Sequence, residues 1–133
     1  MKALRLIAIL TLVSAATACQ EEEPENCNLN GACTLELRSI GVEIVNRNGE
    51  QVFFDEFSIT NLRTGEAIDS PDWNQGGWYT LADDTMQDEL SIDGDQVELV
   101  GIINGFEVLR QIFIIGHNCC HVILIDGPER IQI

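Results

Sequence analysis

An all-β fold, an antiparallel β-sandwich of seven or eight short strands, is what this sequence predicts for residues 33–133. Three observations carry that expectation. Apolar residues recur with a period of two in many short runs, as half-buried strands require. Four turn pairs punctuate them, Asn48-Gly49, Asp93-Gly94, Asn104-Gly105 and Asp126-Gly127. Such pairs supply the positive φ that tight hairpins need. Beyond residue 18 no stretch repeats with a helical period.

The strands follow in order. Leu35 and Leu37 alternate with polar neighbours, and Ile40, Val42 and Ile44 resume the alternation one position out of step. That slip predicts a bulge near Ser39. Phe57 with Ile59, Leu90 with Ile92, and Val97 with Leu99 mark further strands. Phe106 to Ile115 and Val122 to Ile125 are denser in apolar residues and read as central strands. Ile131 and Ile133 form a last short alternation after Pro128, suited to an edge. The turn pairs would join 42–46 to 51–59, 89–92 to 96–100, and 97–103 to 106–115 as hairpins. Ala67 to Asp88 is less regular and is expected to hold the longest loop, with room for one helical turn at 84–89.

The N-terminus reads as an address. Lys2 and Arg5 precede an apolar run from Leu6 to Val13, then small residues 14–18, then Cys19. That is the layout of a secretory signal ending at a lipobox-like cleavage site. The apolar run is too short to span a bilayer. The expected organisation is a lipoprotein signal peptide over 1–18, a lipidated acidic tether over 19–32 with Cys19 as the lipidation site, and the sandwich over 33–133. Residues 20–26, Gln-Glu-Glu-Glu-Pro-Glu-Asn, are too polar to fold alone. With Cys19 they resemble the surface-export signal of lipoproteins in one Gram-negative phylum. The resemblance implies a lipid-anchored protein of the outer membrane, exposed at the cell surface.

Charge narrows the partners. Removing residues 1–18 takes away Lys2 and Arg5, so five basic side chains, all arginine, face 22 acids, a formal charge of −17. Such a chain repels nucleic-acid phosphates and anionic headgroups. No nucleic acid is expected, and membrane attachment must come from lipid.

Cys27, Cys33, Cys119 and Cys120 remain after Cys19 is lipidated. Export places them where disulfides persist. A bridge between the adjacent Cys119 and Cys120 would close a strained ring. Two pairings are left, both tying the N-terminal segment to the 119–120 step. The alternative for this segment is metal binding. Imidazole and thiolate together suit zinc or copper(I), and on a strand His117, Cys119 and His121 would share one face. Gly116-His117-Asn118 also reads as a turn, which would break that alignment.

Two further surfaces bear on ligands. Trp73, Trp78 and Tyr79 surround amides and glycines and could stack a glycan; the alternative is that a Trp fills the core. Asp83, Asp84, Asp88 and Glu89 could hold Ca²⁺, although they lack EF-hand spacing. No catalytic residue is expected: there are two histidines, no Gly-x-Ser-x-Gly, no phosphate loop and no His-Glu-x-x-His. No cofactor is expected either.

Residues 42–62 resemble the opening hairpin of transthyretin-like and carboxypeptidase-regulatory-like, Ig-like sandwich domains. Val42, Ile44, Gly49, Val52, Asp55, Phe57 and Ile59 hold the matching places. The resemblance implies a two-sheet sandwich. The hydrolase branch of that family ends in Tyr-Arg-Gly-Ser, whereas residues 129–133 read Glu-Arg-Ile-Gln-Ile, so its activity does not carry over. The function expected is that of a non-enzymatic surface lipoprotein module with a partner-binding or structural role. A glycan- or Ca²⁺-binding accessory protein is the alternative, and a Cys/His metal-binding protein the third. The contact surface would be the C-terminal strand or the 67–88 loop.

Overall fold

The computed structural model describes residues 27, 33–69 and 77–133. Cys19, Trp73 and most of the tether lie outside the described residues. Among the described residues, seven strands form two sheets. They are β1 (Ser39–Val45), β2 (Glu56–Asn61), β3 (Trp78–Asp83), β4 (Asp95–Ile103), β5 (Phe106–His117), β6 (Val122–Asp126) and β7 (Arg130–Gln132). A 3-10 helix, Asp84–Glu89, follows β3. One sheet has the order β3-β1-β7 and the other β2-β4-β5-β6. Phe113, Leu81, Leu99, Ile115, Ile44 and Val97 are fully buried among the core residues the strands contribute. The two-sheet all-β architecture is the one expected.

The long hairpin β4–β5 is the clearest agreement. Asn104 and Gly105 both take positive φ, 52° and 77°, as a two-residue turn between twisted strands demands. The bulge in β1 falls between Ile40 and Gly41, beside the expected Ser39. The helical turn at 84–89 also forms, as a 3-10 helix.

Other expectations are corrected. The 42–46/51–59 hairpin reduces to a single bridge, Val45 to Gln51. The Asn46 side chain closes the turn by accepting from the amides of Asn48 and Glu50. The chain then crosses to the other sheet instead of returning along β1. Tyr79 makes the crossing tolerable. Its hydroxyl accepts from the Phe54 amide at 2.8 Å and donates to the Val52 carbonyl at 3.3 Å. That hydroxyl occupies polar groups a hairpin would have paired. Burial raises the Tyr79 pKa above its ordinary value, partly offset by the Phe54 amide.

Residues 90–92 are not a strand. They cross over Gly116, where a Cβ would lie 2.8 Å from the Ile92 carbonyl oxygen and 2.9 Å from that of Ser91. Leu35 and Leu37 form no strand either and stand exposed. Their segment is held by its ends, not by a sheet. β3 was expected to be loop because its residues do not alternate; five of its six residues are buried. β6 is an edge strand, not a central one. The sandwich is not wholly antiparallel, since β7 runs parallel to β1.

A buried polar knot joins the β2–β3 connection to the start of β4. Asp95 accepts from Arg63 Nε at 2.7 Å, Asn61 Nδ2 at 2.8 Å and Ser91 Oγ at 2.7 Å. Burial alone would raise its pKa, but these donors outweigh it and hold the carboxyl at about 2. A value lowered in the folded state means the stabilisation is complete above the ordinary carboxyl range. It is lost as pH falls through about 2. Asp95→Asn is expected to cost about 1–2 kcal/mol at neutral pH in urea unfolding. It should also flatten the fall of stability between about pH 4 and 2. An unchanged acid limb in the variant would contradict this role.

Candidate functional site

The cysteines and histidines meet at the turn between β5 and β6. β5 ends at His117 and β6 begins at Val122, leaving Asn118 to His121 as the connection. Asn118 builds it. Its Oδ1 accepts from the amides of Cys120 at 3.1 Å and His121 at 2.8 Å, and its own amide donates to the His121 carbonyl. Cys119 sits at φ 70°, a left-handed conformation costing a non-glycine residue roughly 1–2 kcal/mol. The turn therefore directs the adjacent cysteines to different partners.

Both bridges run to the N-terminal segment. Cys27 pairs with Cys119 and Cys33 with Cys120, with Cα separations of 5.4 and 5.3 Å. Of the two pairings left open by the sequence, the structure selects this one. Closing the 87-residue span between Cys33 and Cys120 removes unfolded-state entropy worth about 4.6 kcal/mol. Cys27–Cys119 then closes only a nested ring of roughly eight residues, worth about 2.5 kcal/mol.

His121 forms a second tie beside the bridges. It is buried, with Nε2 2.8 Å from Thr34 Oγ1 and Nδ1 2.7 Å from Asp84 Oδ2. Asp84 also accepts from the amides of Arg38 at 2.7 Å and Val122 at 2.7 Å. Burial would raise the Asp84 pKa, but His121 and the two amides overcome it and hold the carboxyl below its ordinary range. One carboxylate thus links the strap 33–38, the 3-10 helix and the turn. Gln87 adds a bond from its Nε2 to the Cys120 carbonyl at 2.7 Å.

The order hydroxyl, imidazole, carboxylate is that of a nucleophilic triad. Among the described residues, the amides of the adjoining turn do not complete one. The amides of Cys119, Cys120 and His121 already donate within the turn, so none is free to stabilise an oxyanion. The arrangement works as a clasp.

The metal expectation changes its membership. His117 and Cys119 do lie together, but His121 does not join them, because the turn breaks the strand alternation. Cys27 takes the third place. Among the described residues, one donor atom from each of Cys27, His117 and Cys119 lies within 4.8 Å of the others. His117 is buried, and its Nδ1 accepts from the Cys119 amide at 3.1 Å.

The remaining candidates separate. Tyr79 is buried in the core and offers no platform. Trp78 is 41% exposed on edge strand β3, its indole over Gly41. Asp83 caps the 3-10 helix and Asp84 belongs to the clasp, while Asp88 and Glu89 are exposed. A cleft of about 480 Å³ opens elsewhere, over Val45–Gly49 beside Arg130. Sequence reasoning missed Thr34 altogether and read Asp84 only as an acid of the loop. Neither carries a local signal, since each acts through contacts 37 or more residues away.

No known protein family, curated protein or solved structure matches this chain.

Asp84→Ala would strand the buried His121 ring and two amides. The expected loss is about 2–4 kcal/mol in urea unfolding, against under about 0.5 kcal/mol for the exposed Asp88→Ala. Equal effects of the two substitutions would remove Asp84 from this role.

Proposed function

We propose that this protein is a non-enzymatic module, anchored in the outer membrane by lipid on Cys19 and displayed at the cell surface, where it binds another protein. The single observation behind the binding role is the polarity of the sandwich. The strap that leads back to Cys19 is bridged to the turn at one end of β5. β5 is 12 residues long, about 40 Å at strand rise. At its other end Phe106 is 74% exposed and Phe53 is 60% exposed. Asp55 fixes the Phe53 segment to the same tip, accepting from the Asn104 amide at 2.6 Å. Exposed aromatic rings at such a tip suit the buried anchors of an interface. Asp55, Glu56 and Glu107 surround them, so the fitting partner surface is an apolar recess with a basic rim. This tip replaces the C-terminal strand and the 67–88 loop as the preferred contact surface.

The anchor reading rests on the signal-like start and Cys19. The two-sheet fold is compatible with the transthyretin-like, Ig-like resemblance, whose matched residues run through β1, the following turn and β2. Among the described residues, the engagement of the Cys119, Cys120 and His121 amides within the turn favours a non-enzymatic role. A glycan-binding role keeps only Trp78 as support among the described aromatics.

A photo-crosslinking amino acid at position 106, in intact cells, should yield one discrete protein adduct. The same probe at exposed position 88, on the 3-10 helix at the strap end, should yield none. Cys19→Ser should move the protein from the membrane to the soluble fraction, since stable anchoring takes more than one acyl chain. Equal adducts at both positions would defeat the binding surface, and unchanged partitioning would defeat the anchor.

A further inference from the structure

We propose that the Cys27–Cys119 bridge is a redox gate: its reduction turns the clasp into a zinc site whose protein ligands are Cys27, Cys119 and His117. It does not use the partner surface, and at the cell surface it requires a dithiol reductant supplied from outside the chain. It rests on three features of the turn.

The first is convergence. Donor atoms of the three residues already lie within 4.8 Å of one another. Ligands around one tetrahedral zinc ion stand roughly 3.5–3.8 Å apart, so small side-chain shifts suffice. His117 Nδ1 accepts from the Cys119 amide at 3.1 Å, so its lone pair already faces Cys119, and a metal ion would take that lone pair over from the amide. His121 is excluded because both its ring nitrogens are engaged, by Thr34 and Asp84.

The second is access. Cys27 is exposed, whereas Cys33 and Cys120 are half-buried. A reducing thiol reaches the outer bridge more readily.

The third is redundancy. With both bridges reduced, the strap is still held by Thr34 on His121 and by the Arg38 amide on Asp84, itself bonded to His121. Cys27 stays tethered six residues from Cys33 at the start of that strap, and Cys119 lies in the same turn as His117 in a left-handed conformation. Strained backbone of this kind collects at functional positions.

The chemistry balances with a dithiol as reductant. The dithiol gives two electrons and two protons to the Cys27–Cys119 bond and becomes a disulfide itself. The products are two thiols. Zinc then binds both as thiolates and releases two protons. With His117 as third ligand, a fourth position is left for water.

Cobalt(II) is the probe, because thiolate ligation gives it charge-transfer absorption in the near ultraviolet and strong tetrahedral bands in the visible. Detergent-solubilised full-length protein would be reduced with a phosphine and titrated anaerobically. One cobalt per chain, with absorption equal to two thiolates, is expected after reduction and none before. The Cys33→Ser/Cys120→Ser variant should keep the spectrum and Cys27→Ser should lose it. His117→Ala, which retains every cysteine, should weaken binding about tenfold or more, and His121→Ala should not. Circular dichroism of each reduced protein checks that the β fold persists. No cobalt binding by the folded reduced protein would overturn the proposal. So would a spectrum that survives Cys27→Ser, one lost in the Cys33→Ser/Cys120→Ser variant, or one indifferent to His117→Ala.

Discussion

One carboxylate, that of Asp84, decides how the N-terminal strap meets the sandwich. It accepts from a strap amide at Arg38, from the first amide of β6 at Val122, and from the ring of His121. These donors belong to segments far apart in sequence. Each would be costly to leave unpaired where it is buried. Their common acceptor makes the strap, the 3-10 helix and the β5–β6 turn one polar unit. The two disulfides then lock what the hydrogen bonds already align. The energetics are therefore layered. The Cys33–Cys120 bridge removes most of the loop entropy, the His121 tie orders the turn, and Cys27–Cys119 adds a nested closure of lesser weight.

That arrangement gives the molecule two unlike ends. At one, sulfur and imidazole are gathered under the segment that leads to Cys19. At the other, the β4–β5 hairpin and the 53–57 segment present aromatic rings among acids. The strongly negative charge makes the body of the domain repel anionic surfaces. Three of the five arginines are held in ion pairs. Arg63 lies in the Asp95 knot, Arg110 pairs with Glu98 and Glu107, and Arg130 pairs with Glu43.

Local chemistry made much of this readable in the sequence. Asn104-Gly105 forces a hairpin because few residues tolerate two consecutive positive φ values, and the strands on either side follow. Asn48-Gly49 carries the same signal but leads elsewhere. The turn forms, yet Tyr79, thirty residues on, takes over the backbone groups that would have continued the ladder. β3 was hidden because both its faces are covered, which erases the alternation that marks a half-buried strand. At the clasp the cysteines announced bridges to the N-terminal segment, and the pairing depended on which way a left-handed Cys119 turns. Thr34 and Asp84 could not be assigned roles. Their partner His121 is brought to them by the topology, not by spacing.

The central claim is that the strap is fastened at the β5–β6 turn by two specific bridges. Non-reducing peptide mapping, with electron-transfer fragmentation to separate the adjacent cysteines, tests it most directly. Cys27 linked to Cys119 and Cys33 linked to Cys120 is the predicted result. A Cys27–Cys33 bridge, or the crossed pairing of Cys27 with Cys120 and Cys33 with Cys119, would contradict it.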